Sequence, residues 1–155
     1  MTIVEAQPKP ELAVLIYNLA ATGVTRNAIR IAAAAADRGM RTELWLWQST
    51  GPFAKLVPPN VRIVEFGNDS PMLRFGQLRR AGILMKIPAL ARLIGQKKPK
   101  ILLSAGNRCH LAASLAWHLA GKPAQTITIA RASNANPMFS KKGFIASRQT
   151  RRDCE

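Results

Sequence analysis

The chain has 155 residues, 48% of them hydrophobic, and a formal net charge of +15, with a mean hydropathy of -0.01. That is enough for one domain with a substantial core and too little for two large ones, and the composition excludes a disordered chain. No run approaches the roughly 18 to 20 uncharged apolar residues that a membrane span requires.

Residues 1–10 read as a flexible lead: Glu5 and Pro8 stand where a secretory signal would place its basic and apolar regions, so the chain is expected to be cytosolic. Glu11 to Leu19 is a near-continuous apolar run with Val14, Leu15, Ile16 and Tyr17, the pattern of a strand buried on both faces. Ala20 to Gly23 make a turn, and Thr25 is placed to cap a helix running to about Arg38, with Gly39 positioned to end it in the left-handed conformation. Arg41 to Trp47 alternates as a second strand, followed by a Ser-Thr-Gly-Pro turn and a helical turn over Phe53 to Val57. Val61 to Phe66 is a third strand, closed by Gly67 to Pro71.

Met72 to Gln96 has a helical pattern interrupted by Gly82 and Pro88, which predicts a kink or two shorter helices. Lys100 to Ser104 is a fourth strand, Arg108 to Ala120 a helix ended by Gly121-Lys122-Pro123, and Gln125 to Ala130 a fifth strand. A polar stretch, RASNANP, leads to a basic, helix-like tail from Met138 to Arg152. Alternating strands and helices predict an α/β fold: a Rossmann-like parallel sheet with helices on both faces, over residues 11–137, with 138–155 as a tail.

Several chemistries are excluded by pattern. The turn ATGVTR lacks G-x-G-x-x-G, and Gln48 rather than an acid follows the second strand, so dinucleotide binding is not expected. There is no phosphate-binding Walker loop and no G-x-S-x-G nucleophile turn. Cys109 and Cys154 are far apart, and His110 and His118 match no zinc spacing, so no metal is expected. What remains is the set at the carboxyl ends of the strands, where open α/β sheets place their ligands: Thr22, Gly23 and Thr25, then Ser104, Gly106 and Asn107, then Arg131, Ser133 and Asn134. Small residues and helix-start amides suit an anion or sugar hydroxyls, to which Arg131 adds a fixed charge.

The charge is unevenly spread. Residues 1–69 hold 7 basic and 6 acidic side chains, whereas 70–152 hold 16 basic ones and no Asp or Glu. The asymmetry points to a polyanionic partner, whether anionic lipid, nucleic acid or a phosphorylated substrate. It also leaves no carboxylate between Ser70 and Arg152 to act as acid, base or metal ligand.

The run GVTRNAIRIAAAAADRGMRTELWLW resembles the G-G-x-x-R … R-G-H-x-V opening of retaining glycosyltransferases of the GT-B fold, family 4. KIPALARLIGQKKPKILLSAGN and HLAASLAWHLAGKPAQTITIARASN are similar to that family's fourth-strand approach and to its following helix and strand. The likeness spans roughly residues 12–137, in order and at matching spacing. Thr22 stands where the family's first glycine is usual, Thr25 replaces a common Glu, and Ser133 lies where many members place a His.

The resemblance implies the acceptor-side half of a two-domain enzyme that moves a sugar from a nucleotide-sugar donor to a saccharide or lipid-linked acceptor. This domain would bind no cofactor itself, and the donor-gripping C-terminal domain, absent from the chain, would be required for activity. The acceptor-binding candidates it implies are Gly23, Arg26, Asn107, His110, Arg131, Ser133 and Asn134. Such enzymes often work at membranes, on the inner face of the plasma membrane. The basic amphipathic stretches offer Arg74, Arg79, Arg80, Lys86, Arg92, Lys141 and Lys142 for an anionic surface. The alternative reading is a basic nucleic-acid-binding α/β protein without enzyme activity.

Overall fold

The computed structural model describes residues 9–66, 86–123 and 126–131. Most of the flexible lead, the Gly67 to Pro71 turn, Gly82 and the rest of 72–85, Cys154, and the tail from Met138 lie outside them, as do Arg74, Arg79, Arg80, Ser133, Asn134, Lys141 and Lys142.

Five parallel strands form one sheet: β1 (Leu12–Ile16), β2 (Thr42–Leu46), β3 (Arg62–Glu65), β4 (Ile101–Ala105) and β5 (Ile127–Arg131). Their spatial order is β3-β2-β1-β4-β5, the arrangement of a Rossmann-like sheet, in which the connection direction reverses between β1 and β4. The expected fold class is thus observed. Helix α1 (Gly23–Asp37) joins β1 to β2, α2 (Ile87–Lys97) precedes β4, and α3 (Asn107–Leu119) joins β4 to β5; Pro52–Leu56 forms a single 3-10 turn.

All five residues of β1 and of β2 are buried, because helices cover both faces of the sheet centre. Val14, Ile16, Leu44, Leu46 and Leu103 pack on Ala28, Ile29 and Ala32 of α1. Ala13, Leu15, Trp45 and Leu102 pack on Leu90 and Ile94 of α2 and on Ala112, Ala113 and Ala116 of α3. Each fully buried Leu or Ile contributes about 1.5–3 kcal/mol relative to exposure, so the sheet centre holds most of the stabilising burial. The alanines let α1 and α3 lie close to the sheet. None of the described helices is long and apolar enough to cross a membrane.

Two local expectations are revised. Thr22, not Thr25, caps α1: its Oγ1 accepts from the Thr25 amide at 3.2 Å and meets the Thr25 hydroxyl at 2.9 Å. The helix therefore starts at Gly23, and Thr25 is a buried first-turn residue whose hydroxyl meets that of the cap. The other is narrowed rather than overturned: of the kink or shorter helices expected, the described residues show a shorter helix, α2, with Pro88 in its first turn, where the missing N–H costs nothing. Gly39 ends α1 with φ +82°, as its position predicts.

The alternation in β2 conceals a buried ion pair. Glu43 is 4% exposed; it accepts from Trp45 Nε1 at 2.8 Å and from Lys97 Nζ at 3.0 Å. Two donors satisfy the carboxylate and tie the end of α2 to the sheet.

Candidate functional site at the strand reversal

At the carboxyl edge, β1 and β4 each lead into a helix, α1 on one face and α3 on the other. Gly106 is the N-cap of α3, at φ +94°, and no side chain caps that helix. A Cβ on Gly106 would meet Val24 Cγ1 at 3.5 Å, so the first turns of the two helices stand side by side. Each N-terminus carries roughly half a positive charge from its aligned peptide dipoles. Beside Gly23 a Cβ would find nothing within 4 Å, so open space adjoins the first residue of α1, although the Thr25 amide is already taken by the Thr22 cap.

Of the expected acceptor-binding residues, the structure brings Gly23, Asn107 and His110 to this junction. Gly23 opens α1, Asn107 opens α3 and is exposed, and His110 lies in the first turn of α3. Arg131 ends β5 in register with Ala105, one strand further out. Arg26 is turned elsewhere: its guanidinium lies over the Phe53 ring, 5.4 Å from the centroid, beside the 3-10 turn. Among the membrane-surface candidates, Arg92 is exposed, while Lys86 directs its ammonium to the Trp47 carbonyl oxygen at 3.0 Å.

Ser104 and His110 form the best-defined polar pair here. Ser104 Oγ lies 2.8 Å from His110 Nδ1 and also reaches the Ile129 carbonyl oxygen at 3.3 Å. If the serine proton goes to Ile129, Nδ1–H donates to Ser104 and Nε2 is a free acceptor. If it goes to Nδ1, Nε2 carries the proton and donates. In both cases the ring is oriented from below, and Nε2, a buried atom, has no partner among the described residues. Ser104 is fully buried, so its hydroxyl orients the imidazole and cannot itself attack a substrate. The junction gathers two helix N-termini and one oriented imidazole; among the described residues no exposed nucleophile is held against a base in it.

Sequence reasoning missed two supporting residues. Gly51, in the turn after β2, has φ +140°, and a Cβ there would fall 2.2 Å from the carbonyl carbon and oxygen of Leu19. The amide of Leu19 donates to Thr50 O and that of Phe53 to Leu19 O, both at 3.0 Å, so the loop after β1 is held by the loop after β2. The other is Trp47, whose ring sits 4.9 Å from Phe66 and 6.4 Å from Tyr17; its aromatic neighbours end the adjacent strands, a signal that aligning the strands would reveal. The collision at Gly51 leaves no local signal beyond the glycine itself.

The chain matches no known protein-family model and no curated protein.

Proposed function

We propose that residues 12–137 are the acceptor-side half of a GT-B type glycosyltransferase, with a saccharide or lipid-linked acceptor received at the strand reversal. In a transferase of this type a nucleotide sugar is held by a second domain. The observation that carries the reading is the approach of Val24, in the first turn of α1, to Gly106, the N-cap of α3, the helix that carries the His110 imidazole. Amides and an oriented ring suit hydroxyl and phosphate groups of an acceptor, as helix N-termini generally do. The motif series in the sequence supplies the class, and the strand order is the one such a domain requires.

On this reading His110 is a positioning residue: Ser104 holds its ring, its Nε2 is buried, and it steadies the first turn of α3 on which the acceptor would sit. Peripheral attachment to an anionic membrane would bring a lipid-linked acceptor within reach, with Arg92 and the basic stretches outside the described residues as contacts.

The test is amide and imidazole chemical-shift mapping of the labelled chain during titration with a sugar phosphate. Saturable shifts centred on Gly23, Val24, Asn107 and His110 are expected. Shifts centred on another edge, or none up to millimolar ligand, would remove the proposal. The chain alone is expected to turn over no sugar nucleotide, and measured turnover would overturn the half-site assignment.

A further inference from the structure

The opposite edge of the sheet carries a second feature. The residues that precede the strands are basic on every strand: Arg62 opens β3, Arg41 precedes β2, Lys9 lies just before β1, Lys98 and Lys100 precede β4, and Lys122 lies in the turn before β5. All six are exposed. Hydrogen bonds tie the middle of this border together. Arg41 Nε donates to Lys9 O at 3.0 Å. The amide of Ile101 donates to Glu11 O, and that of Ile127 to Lys100 O, both at 2.9 Å. The carboxylate within the border, Glu11, is engaged by Lys100 Nζ at 2.8 Å and by the Arg41 amide at 3.3 Å; Asp37, beside it, accepts from Asn60.

We propose that this amino edge binds the phosphate backbone of nucleic acid without reading its sequence. Strands about 4.8 Å apart set the cations out along a line of roughly 19 Å. A line of that length spans about five or six base-pair steps of a duplex, whose phosphates recur at about 3.4 Å of axis per strand. Guanidinium groups at Arg41 and Arg62 can hold phosphate oxygens in pairs. No Phe, Tyr or Trp among the described residues is exposed, so these residues offer no platform for stacking bases, and the interactions fall on the backbone. A membrane presents a plane and rewards apolar insertion, whereas a single file of cations suits a linear polyanion. The edge lies about 16 Å from the strand reversal, the length of a five-residue strand. That is about two Debye lengths at physiological salt, so these cations serve a separate partner, and the inference stands whether or not the acceptor reading does.

The experiment is fluorescence anisotropy of a labelled DNA duplex with the full chain, between about 0.05 and 0.2 M salt. Binding is expected to weaken steeply with salt. The combined variant Arg41→Gln, Arg62→Gln, Lys122→Gln should flatten the plot of log K against log salt by about 0.9 for each phosphate it no longer neutralises. A control that removes the same charge elsewhere, Arg30→Gln, Lys55→Gln, Arg92→Gln, should leave the slope unchanged. If the first variant does not fold, judged by far-ultraviolet circular dichroism, Lys98→Gln with Lys122→Gln asks the same question, since neither side chain makes a hydrogen bond among the described residues. Equal losses in edge and control variants, no loss in either, or retention on phosphatidylglycerol vesicles without binding to the duplex would each overturn the proposal.

Discussion

His110 and Ser104 meet across the junction of a strand and a helix: imidazole Nδ1 stands 2.8 Å from a hydroxyl that is completely buried beneath it. Removing that hydroxyl by Ser104→Ala leaves a ring nitrogen without its partner in a half-buried setting, at a cost of about 1–3 kcal/mol. Urea denaturation should show the loss. His110→Ala should cost less stability than it costs ligand binding, because the unpaired Nε2 disappears together with the ring. A His110→Ala chain that binds a sugar phosphate as well as the parent does would exclude the imidazole from the site.

Gly51→Ala tests the coupling of the first two loops. Backbone at φ +140° and ψ 158° belongs to a region populated almost only by glycine, and occupying it with alanine costs on the order of 1–3 kcal/mol. The collision with the Leu19 carbonyl adds to that. The expected result is a lower urea midpoint together with shifted amide resonances at Leu19, Thr50 and Phe53. Wild-type stability would show that the two loops are not held together in solution.

The Glu43–Lys97 pair should respond unequally to its two simplest disruptions. Lys97→Met leaves a buried carboxylate with the Trp45 indole as its remaining donor, and breaking a buried pair in this way costs about 3–5 kcal/mol. Glu43→Gln keeps an acceptor for the indole and removes the charge, so it should cost less. Chemical denaturation of the two variants orders them, and a Lys97→Met chain as stable as Glu43→Gln would contradict the pairing.

Stability should also carry an acid limb from Glu11. The hydrogen bond from Lys100, assisted by the Arg41 amide, holds its carboxyl below the ordinary value of 4.5. A carboxyl whose folded value is depressed binds its proton more readily in the unfolded chain. Its contribution is therefore complete above about pH 4.5 and is lost as pH falls through the lower folded value. Lys100→Met should flatten that segment of the stability curve by removing a small contribution above about pH 4.5, as expected of an exposed pair, and leave the acid end unchanged. Denaturation midpoints from about pH 3 to 6, on the scale of carboxyl titration, give the comparison.

Much of the architecture was legible because burial on both faces writes continuous apolar runs such as LAVLI and ILLSA, and because Gly39 and Gly121 mark helix ends. The strand reversal was legible too, since carboxyl-end residues can be collected from strand positions alone. What could not be read depends on neighbours distant in sequence. Glu43 is buried because Lys97 reaches it from 54 residues away, and the alternation of TELWL gives no sign of that. Thr22 and Thr25 are both competent caps by type, and the choice between them is made by where the chain leaves β1. Arg26 turns to Phe53 because the loop after β2 is folded back on Leu19, which no local pattern records. The basic border along the amino edge appears only after the strands are aligned, because its members are scattered from Lys9 to Lys122.

The strand order has a consequence for how the protein is made. β1 is the centre of the sheet, yet one of its two partners, β4, is encoded some 89 residues later, the separation of Glu11 and Lys100. A nascent chain that has released β1, α1, β2 and β3 can cover one face of those strands with α1. The other face, with Leu15 and Trp45, takes its cover among the described residues from α2 and α3, which emerge later. Synthesis at about 5–20 residues per second leaves that apolar face bare for several seconds. Closing the long loop between β1 and β4 adds an entropic cost that sheets paired between sequence neighbours avoid.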